Sequence, residues 1–189
     1  MARIRAGVVA AAVTVFVLGL VGTAAAAPAK LKPFGTGQVS IAGSSATILI
    51  DTGEFGGVFP SGNAQQGTLV GSAVYQFTSS GDVGGGAPRF SLPINDGSFD
   101  PNADFAFLDA ANCGATVGDN PNGTQTLVST RNPGCKVHFH GVDYANWTTF
   151  ANSNPTFRIA RSTPFIIADA VPSPQTSATY VVSDIVFRP

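Results

Sequence analysis

The sequence predicts an all-β fold: a two-layer antiparallel β-sandwich, jelly-roll-like, with one short surface helix. Three observations predict it. Short runs rich in Val, Ile, Thr, Phe and Tyr recur along the chain, the residues that suit a pleated, half-buried surface. Strong punctuation separates them, as at Gly56 and Gly57, at 84–86, at 120–123 and at 132–134. Only one stretch has apolar residues at helical spacing without Gly or Pro.

The chain opens with a leader. Arg3 and Arg5 precede an apolar run from position 6 to 21, and small residues follow at 24–27. Basic, apolar and small-residue parts in that order make a cleavable secretory signal. Its run is shorter than the roughly 20 residues of a membrane span. Cleavage after Ala26 assigns 1–26 to the signal, 27–37 to an extended arm and 38–189 to a single domain. The expected location is extracellular, with no membrane span once the signal is gone.

The expected strands are 38–42, 46–51, 68–78, 89–94, 104–108, 124–130, 136–140, 156–160, 165–168 and 178–187. Many short strands at this spacing suit a sandwich. The last is apolar on both parities around Asp184, which suits a central strand buried between two layers. The helix is expected over 143–151. Tyr144, Trp147 and Phe150 recur at helical spacing, Asp143 serves as N-cap, and Pro155 stops the run.

Cys113 and Cys135 are the only cysteines. In an exported chain they pair, closing a loop of about 23 residues worth roughly 3 kcal/mol. Charged residues make up 11% of the chain, ten basic against eleven acidic. That is well below the usual quarter. Scattered, slightly acidic charge excludes the basic footprint that nucleic acid requires.

The closing strand, with Tyr180, Val181, Ser183, Asp184, Ile185 and Phe187, resembles the last strand of galactose-binding-like jelly-roll domains and related carbohydrate-binding modules. Segments 75–82 and 88–92 resemble their early strands. The whole is also similar to exported proteins of high-GC Gram-positive bacteria. The resemblance implies a non-catalytic domain whose partner is a polysaccharide or another envelope component.

Four groups carry candidate chemistry. Tyr144, Asn146 and Trp147 offer rings for sugar C–H faces and an amide for sugar hydroxyls; the same spacing also describes the buried face of a helix. Asp96, Asp100, Asn102 and Asp104 alternate oxygen donors like a calcium loop, although Phe105 and Ala111 stand where an EF-hand has Gly and Glu. His138 and His140, on one face of a strand, could join Asp143 as metal ligands. That set is the basis of an alternative reading, a metal-dependent hydrolase. Asp51, Thr52 and Gly53 follow an apolar strand as in an aspartic protease, but that chemistry needs two such carboxylates and the chain has one copy. No Gly-x-Ser-x-Gly elbow or phosphate loop is present. The remaining alternative is a purely structural or interaction protein of the envelope.

Overall fold

The computed structural model describes residues 30–61, 66–97, 104–160 and 163–188. The expected leader, Asp100 and Asn102 lie outside them. Two antiparallel sheets face each other, and the chain passes repeatedly between them.

The larger sheet runs in the order β1 (Leu31–Gly35), β4 (Gly56–Pro60), β12 (Phe165–Ala168), β6 (Arg89–Asn95), β7 (Asp104–Asp109), β9 (Val137–Phe139) and β10 (Val142–Tyr144). A short strand, β11 (Arg158–Ile159), continues beside β6 where β12 leaves off. The smaller sheet runs β2 (Gln38–Ala42), β3 (Ser45–Asp51), β13 (Ser177–Arg188), β5 (Val74–Ser79) and β8 (Thr126–Ser129). Alternation puts every second residue inward, as in β5, where Tyr75, Phe77 and Ser79 are buried. At the centre, Phe90 of β6 meets Tyr75, Phe77 and Phe187 with ring centroids 4.9–5.8 Å apart. Burial pushes the Tyr75 phenol far above its ordinary pKa. The Tyr180 phenol rises as well, through burial and then the nearby Asp82 and Asp169 carboxylates, and its hydroxyl donates to the Ala170 carbonyl.

Several expectations need correction, among them the strand expected over 68–78, which begins only at Val74. The arm over 27–37 contains β1, which pairs along its whole length with β4 and belongs to the large sheet. Pro33 and Gly35 disguise it, and Gly56, Gly57 and Pro60 disguise its partner. Those two glycines serve close packing. A Cβ on Gly56 would lie 2.8 Å from the Ile48 side chain, and one on Gly57 would lie 2.5 Å from the Phe34 ring.

The helix, α1 (Trp147–Ser153), starts later than expected. Asn146 is its cap, accepting from the Thr149 N–H at 2.9 Å. Asp143 sits instead on β10, in register with His138. The strand expected over 136–140 ends at Phe139, because His140 (φ 52°) and Gly141 (φ 75°) form a two-residue turn that pairs Phe139 with Val142. Two consecutive positive φ values are what a type I′ hairpin requires. A Gly141→Ala variant is expected to lose about 1 kcal/mol, the left-handed penalty of an L-residue; thermal denaturation followed by circular dichroism measures it.

A further correction concerns β13. It is central in its sheet, between β3 and β5, but only one face is buried; the other is half-exposed or exposed. A bulge between Ser183 and Val186 shifts its register, with Asp184 at φ 52°. The bulge brings Ile185 inward after the exposed Asp184, so apolar residues at both parities reach the core from one face.

The disulfide forms as expected. Cys113 ends a 3-10 turn (Ala111–Cys113) after β7 and joins Cys135, before β9, with an S–S distance of 2.02 Å. Among the described residues, no helix is long and apolar enough to cross a membrane.

Candidate functional site

The expected sugar platform is not a surface. Trp147 is 3% exposed, its indole N–H donates to the Val70 carbonyl at 2.8 Å, and its ring packs against Tyr75 and Phe150. Tyr144 is partly buried edge-on against Phe150, and the Asn146 side chain is committed to the helix N-terminus. Helical spacing here gathers an anchor for α1, so the three residues do not make a ligand face.

The two histidines do not converge either. His138 lies on the outer face of the large sheet, with Nδ1 2.7 Å from the Asp143 carboxylate. The positive φ of His140 breaks the strand alternation that would have put both rings on one face. Its ring stacks on Phe139, and its Nε2 lies 2.5 Å from the Asp104 carboxylate. Asp104 is therefore engaged by a histidine, on the opposite parity from Phe105 and Phe107. Of the calcium-loop residues only Asp96 and Asp104 are described. Among the described residues, no group of three His, Cys, Asp or Glu side chains could hold a metal ion. Asp51 of the protease-like turn is exposed at the end of β3, its N–H bonded to the Glu54 carboxylate.

What the fold does assemble is a ribbon of phenylalanines on the outer face of the large sheet. Register explains it. Across β12, β6, β7, β9 and β10, the residues Phe165, Ser91, Phe107, His138 and Asp143 stand opposite one another in turn. Phe34 of β1 lies opposite Gly57 of β4, whose missing side chain leaves room for the ring. Neighbouring rings then touch in sequence: Phe55 to Phe34 at 6.4 Å, Phe34 to Phe165 at 5.5 Å, Phe165 to Phe105 at 5.5 Å and Phe105 to Phe107 at 6.4 Å. His138 continues the line at 6.5 Å from Phe107. From β1 to β9 the ribbon crosses about 24 Å at the usual strand spacing.

Phe34, Phe105, Phe107 and Phe165 are partly buried, and Phe55 is 39% exposed. Between Phe34, Phe59, Thr163 and Phe165 lies an open apolar groove of about 320 Å³. Ser91, between Phe165 and Phe107 in register, is buried. Charge borders the ribbon. The Arg89 guanidinium sits 5.2 Å over the Phe107 ring and holds Asp169 through two hydrogen bonds of 2.5 and 2.6 Å. A contiguous apolar patch rimmed by polar groups marks an interaction surface.

The signal for this face was present in β7. Phe105 and Phe107 point outward while Ala106 and Leu108 point inward, so the strand is apolar on both parities. A strand of that kind at an outer face reads as covered or ligand-bearing. No protein-family model, curated protein or solved structure matches this chain, so the likeness of its closing strand to galactose-binding-like domains rests on those strand residues alone.

Proposed function

We propose that this chain is a secreted, non-catalytic binding domain whose phenylalanine ribbon takes up a polysaccharide of the envelope or medium. The ribbon is the observation that carries this reading: rings linked at centroid distances of 5.5–6.4 Å across β1, β12 and β7, partly exposed on the outer face of the large sheet. Successive apolar rings suit a polymer with repeated C–H faces. The bordering Arg89, Asp169, His138 and Asp143 supply donors and acceptors for hydroxyls. The disulfide suits an oxidising compartment, in keeping with the leader.

Pulldown of the mature domain on a panel of insoluble polysaccharides tests it. Retention on at least one is expected, with a tenfold or greater loss in a Phe107→Ser, Phe165→Ser double variant of near-normal melting temperature. Absence of retention on every polymer removes the sugar reading. A protein partner is then favoured by one feature: the ribbon's phenylalanines carry no polar atom of their own, as at the apolar centre of a protein interface. Crosslinking at the same face would identify that partner.

A further inference from the structure

A second candidate site lies at one end of the small sheet. After the disulfide, residues 114–125 are mostly small and polar and form a loop into β8. Such a loop would ordinarily be loose, but this one is tied down. Gly118 exchanges two backbone hydrogen bonds with Val83, at 2.8 and 3.1 Å. The Asn120 amide donates to the carbonyls of Ser80, Gly81 and Thr124, and its oxygen accepts from the Thr124 N–H at 2.9 Å. One side chain thus clamps the loop to the turn that follows β5.

Between that loop and the sheet is a cavity of about 240 Å³. Ser79, only 2% exposed, lines it, and its hydroxyl has no hydrogen-bond partner among the described residues. A buried hydroxyl left unpaired is costly, so an occupant that supplies the partner is favoured. Asp119, Asn122, Thr124 and Thr126 line the same cavity, and Pro121 adds an apolar ring.

The lining selects the occupant. A calcium ion takes six to eight oxygens, commonly with several carboxylates. Here Asp119 is the one acidic lining residue among those described, and the nearby Asp82 is already used by the N–H groups of Asn120 and Thr179. Among the described residues no basic one lines the cavity, so an anion finds no counter-charge there. Hydroxyls and an amide, which both donate and accept, match a neutral polyhydroxylated molecule. The volume falls below the roughly 300 Å³ at which drug-sized pockets begin, which fits a single ring. We infer that this cavity is a binding site for one sugar ring, with Ser79 at its floor, Asp119 and Asn122 at its rim, and Asn120 as the residue that positions the rim. It stands independently of the phenylalanine ribbon.

The test uses the mature domain and four free sugars: glucose, galactose, mannose and N-acetylglucosamine. Amide chemical-shift mapping should place at least one of them at residues 79–83 and 114–126. Asp119 and Asn122 are exposed, so D119A and N122A keep the fold, and each should weaken binding tenfold or more. Ser79→Ala should weaken it while leaving the melting temperature unchanged or higher. The ribbon double variant should bind the free sugar normally, which separates this site from the polysaccharide reading. No shift at those amides with any of the four sugars, or full affinity in the D119A, N122A double variant, overturns the inference.

Discussion

Trp147→Ala is expected to cost about 4 kcal/mol, within the range for removing a large aromatic from a packed core. The ring is 3% exposed and touches Tyr75 of the small sheet, and within α1 it touches Phe150. It therefore pins the helix across the open end of the sandwich. Its indole N–H also holds the Val70 carbonyl, in the segment leading into β5. Trp147→Phe keeps much of the packing and loses that bond, so it should cost about 1–2 kcal/mol. Urea denaturation followed by circular dichroism measures both. The wild-type protein offers a separate check, because this is its only tryptophan. Its fluorescence should resist quenching by iodide until the protein unfolds. A cost below about 1 kcal/mol for Trp147→Ala would mean the helix is peripheral.

The same residue illustrates what could be read from sequence. Helical spacing of Tyr144, Trp147 and Phe150 identified the aromatic face correctly, yet Tyr144 lies on β10 and only the other two are in α1. Spacing alone could not separate a strand entering a helix from the helix itself. The two-residue turn at His140 and Gly141 was hidden because it lacks the Asn-Gly or Asp-Gly pair that usually marks a type I′ hairpin. Strands such as β2 and β12, with Gln38–Ala42 and Phe165–Ala168 as their bounds, were legible as Val- and Ile-containing runs between turn residues. By contrast β4 was not, since Gly56 and Gly57 look like a turn until the side chains that need their space are known. Neither candidate site was legible as a whole, although β7 alone carries apolar residues on both parities. The ribbon draws Phe34, Phe55, Phe105, Phe107 and Phe165 from positions far apart in the chain. Only strand register, set by pairing across the whole sheet, makes them neighbours. The cavity behind Ser79 depends on how the 114–125 loop folds back, which turns on the side chain of Asn120.

Removing the Cys113–Cys135 bridge is expected to cost about 3 kcal/mol, from the loop-closure entropy of its sequence separation of 22. For a domain of this size that corresponds to a fall of roughly 6–12 °C in melting temperature. A Cys113→Ser, Cys135→Ser double variant avoids the free thiol that either single change would leave. The loss should also be unevenly distributed. The bridge joins the end of the 3-10 turn to the segment entering β9, so the loop it closes contains both β8 and the rim of the Ser79 cavity. Hydrogen exchange should therefore quicken at 114–125 well before it does in β3 or β13, whose pairing spans the centre of the small sheet. Sugar binding at the cavity should weaken in parallel, because Asn120 would be clamping a loop with one anchor fewer. Retention through the phenylalanine ribbon should persist, since the β12, β6 and β7 pairings that align Phe165 and Phe107 do not involve the bridged loop. A melting temperature lowered by less than about 2 °C would show that the Gly118 and Asn120 bonds already confine the loop, leaving the bridge little unfolded-state entropy to remove.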